Sequence, residues 1–194
     1  QFWAVVRTLL ENCRDVKEAL SMLKDMPVAY NLNLIVLDRE GHCALVETLD
    51  GRMAVKTIDR DSGEQALYAT NHPVLEELIP YEPQAFVHSI RRYDNITAFL
   101  ERHRQGITAG QLKAFFLTPY PEGLSCSYYS QFFGTTKTMV LDPVQGSLSL
   151  CWGGRPENGW HDFSFSDPFP QETASIEIQN QTADPSIFTY RRLI

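Results

Sequence analysis

The stretch Ala66-Leu67-Tyr68-Ala69-Thr70-Asn71-His72-Pro73 decides how this chain is read. Leu67 and Ala69 alternate with Tyr68 and Thr70, a period of two that predicts a strand. Pro73 has no N–H to donate to a ladder, so the strand must end before it. His72 is biased to extended geometry by the proline that follows. The pattern delivers Asn71 as a polar amide at a strand end, between rigid backbone on either side. Binding and catalytic groups are often found in such positions. Asn also starts turns for local reasons alone, and the stretch by itself leaves both roles open.

Three short strands lead up to it. Asn33-Leu34-Ile35-Val36-Leu37 runs into the turn Asp38-Arg39-Glu40-Gly41, and Cys43-Ala44-Leu45-Val46-Glu47 returns. Asp50-Gly51 is a strong two-residue hairpin signal, followed by Met53-Ala54-Val55-Lys56-Thr57-Ile58. Connections this short mean an antiparallel meander rather than parallel crossover units. Ahead of the strands, Phe2, Val5, Val6, Leu9 and Leu10 lie at helical spacing. Asp15-Val16-Lys17-Glu18 has the form of a capping box opening a second helix that Pro27 ends.

After Asn71, Pro80 and Pro83 mark a surface loop. Ser89-Ile90-Arg91-Arg92-Tyr93 then opens a helix stopped by Gly106, and Thr108 caps another carrying Leu112, Phe115 and Phe116 inward. Two arginines at a helix start oppose the helix dipole; they are either solvated or functional. Further on, Thr138-Met139-Val140-Leu141 and Ser147-Leu148-Ser149-Leu150-Cys151-Trp152 flank the turn at Asp142-Pro143 as a hairpin, and Ile187-Phe188-Thr189-Tyr190 reads as a last edge strand. The expected strands are 33–37, 42–48, 52–58, 65–70, 127–133, 136–142 and 147–152. The expected helices are 4–12, 15–25, 90–104 and 108–117. Helices, strands, helices, strands in this order predict a layered α+β domain.

The composition narrows the function. With 194 residues, 43% of them hydrophobic, one domain over 1–194 is expected. Lys and Arg number 17 against 24 Asp and Glu, with no basic cluster that could follow a phosphate backbone, so no nucleic-acid partner is expected. No apolar run is long enough to cross a bilayer, so no membrane partner is expected. Cys13, Cys43, Cys126 and Cys151 are scattered, without a CxxC pair or a Cys/His cluster. They imply neither a metal site nor a disulfide framework, but reduced thiols of a cytoplasmic protein. No cofactor is expected. The sequence opens Gln1-Phe2-Trp3-Ala4-Val5-Val6-Arg7 without a methionine and already at helical spacing, and a natural start further upstream is expected.

The landmarks Val6-Arg7-Thr8-Leu9-Leu10-Glu11, Leu37-Asp38-Arg39-Glu40-Gly41 with Val46-Glu47, Thr70-Asn71-His72-Pro73 and Ser89-Ile90-Arg91-Arg92-Tyr93 come in order. Thr135-Thr136 through Val140-Leu141-Asp142-Pro143 to Gly153-Gly154-Arg155-Pro156 completes them. In this order they resemble the C-terminal part of the N-terminal-nucleophile (Ntn) hydrolases of linear amides. That is the choloylglycine hydrolase, penicillin V acylase and isopenicillin N acyltransferase group. The resemblance runs from about Val5 to Phe165. It implies an αββα four-layer sandwich of antiparallel sheets between helices, here incomplete at the N-terminus and forming the C-terminal portion of a larger domain. It implies an N-terminal cysteine that attacks an amide carbonyl, with its own α-amino group as base, to form an acyl-enzyme. It matches Asn71 to the strand-end oxyanion donor. It matches Arg92, with Arg91 as the alternative, to a charge-stabilising guanidinium. Thr70 and His72 are expected to flank the substrate.

Gln1 is no nucleophile, and the family's cysteine lies ahead of the resembling region. The chain is therefore expected to be a portion of a cysteine amidase or acyltransferase. Its partners would be a small-molecule acyl-amide and a missing N-terminal segment carrying the nucleophile; homo-oligomerisation is left open. One alternative is a non-catalytic degenerate relative acting as a binding module. Another is an enzyme that uses an internal thiol with His72, His88 or His161. Cys126, in a polar loop, is then the most exposed candidate. The leading reading predicts that the 194-residue chain alone shows no amidase turnover. Hydrolysis of a simple acyl-amide by the purified chain, lost on mutating one internal cysteine, would instead favour the internal thiol.

Overall fold

The computed structural model describes residues 2–28, 30–168 and 175–193. It divides into two compact units, Gln1–Ile90 with Tyr190–Ile194, and Arg91–Thr189. Each mixes helix with antiparallel sheet, an α+β fold as expected. Among the described residues no helix is long and apolar enough to cross a membrane.

In the first unit, α1 (Phe2–Asn12) and α2 (Val16–Asp25) precede a sheet of β1 (Leu32–Leu37), β2 (Cys43–Leu49) and β3 (Arg52–Ile58) in that order. Asp15 caps α2 by accepting the Glu18 N–H at 2.8 Å. The Glu18 carboxylate does not return to Asp15 as in a full capping box. It accepts the Arg14 N–H at 2.9 Å, one residue further back, and pairs with that guanidinium. The β2–β3 turn is formed by Asp50 and Gly51, both at positive φ (47° and 76°). This backbone matches the strand twist and is the reason Asp-Gly marks hairpins.

β2 is central and buried along most of its length. Ala44 and Val46 turn to one face of the sheet, where they join Val5, Leu9, Val16, Ala19 and Leu23 of the two helices in an apolar core. Leu45, Glu47 and Leu49 alternate to the other face and are also buried. There Leu49 and Ala54 pack with Leu75 and Leu78. β4 (Gln84–Phe86) pairs antiparallel with the C-terminal Tyr190–Arg192, and α3 (Val87–Arg102) follows.

The expected strand over 65–70 does not form. Residues 66–70 are all half-buried, so the alternation of apolar and polar side chains does not sort into two faces. Side chains, described below, hold the backbone around Thr70. α3 begins at Val87, which puts Arg91 and Arg92 in its second turn rather than at its start.

In the second unit, α4 (Ala109–Leu117) opens on a full capping box between Thr108 and Gln111. Phe115 of α4 stacks on Phe99 of α3 with centroids 4.1 Å apart. The expected strand over 127–133 is broken into β5 (Ser127–Tyr128), a 3-10 turn over Tyr129–Gln131 and β6 (Phe133–Gly134). Phe132 sits at φ 57°. The Tyr129 ring folds back onto Gly134, where a Cβ would collide with it. Its hydroxyl donates to the carbonyls of Thr135 (2.6 Å) and Gly153 (3.0 Å). β7 (Lys137–Asp142) and β8 (Ser147–Trp152) form the expected hairpin. β9 (His161–Ser164), not foreseen from the sequence, adds a third antiparallel strand. The C-terminal edge strand is Tyr190–Arg192, shifted past the expected stretch because Pro185–Phe188 coils into a 3-10 turn.

Leu23 is almost fully buried in the α1–α2–sheet core. Leu23→Ala is expected to destabilise the protein by about 2–5 kcal/mol, the usual range for a core cavity, read as a lowered urea midpoint at unchanged slope.

Candidate active site around Asn71

Asn71 lies on a bend, exposed, directly before the buried His72 and Pro73. The chain here makes no ladder, so its peptide groups need other partners. Asn33, near the start of β1, supplies two. Its Nδ2 donates to the carbonyl of Thr70 (2.9 Å) and to that of His72 (2.8 Å), the residues on either side of Asn71. The Asn71 N–H donates to Ser89 Oγ at 2.8 Å. Beyond Pro73, Glu47 of β2 accepts the N–H of Val74 (2.8 and 3.1 Å) and of Leu75 (3.0 Å). Helix α3 is tied in through Ser89, whose carbonyl accepts the Thr70 hydroxyl at 3.0 Å.

Ser89 Oγ also lies 2.8 Å from His72 Nδ1. A hydroxyl and an imidazole at this distance have the spacing of nucleophile and base. Ser89 is fully buried, however, and its oxygen already takes the Asn71 N–H. The Ser89 hydroxyl braces the bend.

Thr70, Asn71 and His72 open onto one cavity of about 250 Å³, whose other walls include Asn33, Glu47 and Thr48. That volume suits a small polar group better than a whole acyl chain. Burial pushes the Glu47 carboxyl above its ordinary value, while the N–H donors of Leu75 and Val74 pull it down and Glu77 adds to the rise.

Arg92 belongs to the second unit. Its guanidinium lies over the Phe133 ring, 5.7 Å from the centroid. Burial lowers its pKa, and the neighbouring Cys126 and Tyr120 draw it back up. Arg91 is exposed and donates from Nε to the Pro121 carbonyl at 3.2 Å. Of the two candidate arginines, Arg92 is the one turned inward.

One thiol differs from expectation. Cys126 is buried, 5% exposed, and is not the accessible cysteine its polar neighbours suggested. Burial raises its pKa, with Arg92 opposing. Burial is also the main cause of raised pKa values at Cys13, Cys43 and Cys151. A thiol held protonated is a poor nucleophile. The histidines considered with an internal thiol have other contacts or are exposed. His72 is on Ser89, His88 stacks on Phe86 at 5.3 Å, and His161 is exposed on β9. Among the described residues no cluster of His, Cys, Asp and Glu is placed to hold a metal ion.

The model of one family, acyl-coenzyme A:6-aminopenicillanic acid acyltransferase, matches residues 1–157. The chain belongs to this family. It is an Ntn-hydrolase-like family, and membership makes the chain part of an acyltransferase- or amidase-type enzyme lineage. No curated protein and no solved structure matches the chain. The acyltransferase match takes in Asn33, Glu47, Asn71, Ser89 and Arg92 and ends ahead of β9. Of these residues, Asn33 had not been singled out from the sequence. Glu47 and Ser89 had been noted only as parts of landmarks. A carboxylate in the middle of the most apolar strand was the available signal, because Glu is seldom buried without a task.

The raised Glu47 pKa has a consequence for stability. The folded state holds this proton more tightly than the unfolded chain, whose ordinary value is 4.5. The Glu47 contribution to stability is therefore full below about that pH and is lost as pH rises through the raised folded value. Glu47→Gln, which does not titrate, is expected to remove this downward component, seen by comparing urea midpoints of the two proteins from pH 4 upward.

Proposed function

We propose that this chain is the nucleophile-less portion of a cysteine Ntn acyltransferase or amidase acting on a linear amide C–N bond. Membership of the acyltransferase family supports the reaction class. The observation that carries the assignment to a site is the exposed Asn71, braced by Asn33 and Ser89 at the edge of a polar cavity. An amide donor held fixed where negative charge develops stabilises a tetrahedral intermediate without reorganising as the reaction proceeds.

In this reading an N-terminal cysteine, contributed by a segment outside this sequence, attacks the carbonyl of the acyl-amide. The carbonyl oxygen becomes an oxyanion on Asn71, the C–N bond breaks, and the protonated amine leaves. Water or a second amine then attacks the thioester and frees the thiol. Arg92, a guanidinium that stays charged even when buried, is the residue this reading matches to the family's charge-stabilising role. Thr70 and His72 line the substrate side. The architecture of this reading is an αββα four-layer sandwich over 1–194, the C-terminal portion of a larger domain. The antiparallel three-stranded sheet in each unit supports that architecture. Four unpaired thiols fit a reducing, cytoplasmic setting.

The test uses the full-length protein expressed from its gene, incubated with a panel of acyl p-nitroanilides of increasing chain length. The expected result is p-nitroaniline release and, after rapid quenching, an acyl adduct on an N-terminal cysteine by mass spectrometry. Asn71→Ala is expected to lower kcat about a hundred- to a thousandfold, with a smaller effect on KM. Arg92→Lys is expected to lower kcat as well, because an ammonium does not reproduce a planar fork. An adduct on Cys13, Cys43, Cys126 or Cys151, or unaltered kinetics in Asn71→Ala, would overturn the proposal.

A further inference from the structure

We propose that Asn33 is a positioning residue for Asn71, an inference that rests on the catalytic role just proposed for Asn71. The argument is geometric. The direction of the Asn71 Cα–Cβ bond is set by the backbone on either side, and that backbone is constrained when peptide groups before and beyond Asn71 are held. The Thr70 carbonyl, in the peptide plane directly before Asn71, and the His72 carbonyl, in the plane between His72 and Pro73, both accept from the single Nδ2 of Asn33, at 2.9 and 2.8 Å, so the torsions of Asn71 and His72 are constrained together. One amide thus staples the bend across Asn71, spending both of its N–H bonds on that task. Ser89 Oγ holds the Asn71 N–H from the opposite element, α3. Glu47 holds the chain three and four residues further on, past Pro73.

Asn33 is itself well anchored. It sits in β1 directly opposite Glu47 in β2, and the pair share a sheet face. Two neighbouring side chains on rigid strands therefore fix the segment before and after Asn71. A site group carried on an irregular segment needs such support to stay within a fraction of an ångström of its working position. Asn33 reaches no reacting atom in this scheme; it acts through Asn71.

Asn33→Asp tests this at nearly constant shape. It replaces the donating NH₂ with an oxygen facing two carbonyl oxygens. Asn33→Ala, which removes the donor without adding repulsion, serves if the aspartate variant does not fold. Two readouts are used on the full-length protein. The first is amide hydrogen exchange by NMR, which does not depend on activity. Exchange at the Asn71 N–H is expected to speed up about tenfold or more, with the Leu45 N–H in central β2 unchanged within about twofold, as for a local opening. Equal protection of Asn71 in wild type and variant would overturn the proposal.

The second is a double-mutant cycle on kcat with hexanoyl p-nitroanilide as probe. Asn33→Asp is expected to lower kcat about ten- to a hundredfold at near-constant KM. Added to Asn71→Ala it should cost no more than about twofold further, because a residue acting through Asn71 has nothing left to position. Full additivity of the two losses would overturn the proposal, since it would mean that Asn33 acts by another route. If wild type does not turn over the probe, or Asn71→Ala does not slow it, the catalytic reading of Asn71 fails. The exchange result alone then decides whether Asn33 holds the bend.

Discussion

Backbone groups removed from water must find partners, and around Asn71 those partners are side chains instead of a neighbouring strand. Asn33 takes two carbonyls, Ser89 takes one N–H, and Glu47 takes those of Val74 and Leu75. A ladder would have satisfied the same groups, but it would have fixed every second side chain to one face. Side-chain partners leave residues 66–70 half-buried on both sides while pinning the one position that carries an exposed amide. Each of these partners comes from an element that is regular in itself, β1, β2 or α3, so the irregular segment inherits its precision from them.

The same device appears at the other end of the β1–β2 hairpin with an opposite electrostatic result. Asp38 accepts the N–H groups of Glu40 (3.0 Å), His42 (3.1 Å) and, from the first turn of α2, Val16 (3.3 Å). Burial acts to raise its pKa, but the His42 ring and the backbone donors outweigh it and hold the carboxyl below its ordinary value. Glu47 is fully buried and accepts from two backbone donors, and burial wins there.

Burial also sorts the reactive side chains. The four thiols are all shifted toward the protonated form, and the serine closest to a histidine is sealed inside. What remains open is Asn71, with Thr70 and His72 at its cavity.

Much of the fold was legible before any coordinates. The helices, the β1–β2–β3 meander, the Asp50-Gly51 turn and the β7–β8 hairpin follow from periodicity and turn chemistry, which are local. The family followed from landmarks in order, and with it Asn71 as the residue to examine. The sequence by itself determined those elements and marked Asn71 through Pro73, whose missing N–H ends any ladder. Only the tertiary structure decided that no strand forms at 65–70 and that Tyr129 folds back on Gly134. It also decided that Arg92 rather than Arg91 turns inward, and that Asn33, Glu47 and Ser89 hold the bend. Those outcomes depend on which distant groups arrive beside each backbone amide and carbonyl. Asn33 lies 37 and 39 residues from the two carbonyls it joins, a separation that no local pattern encodes.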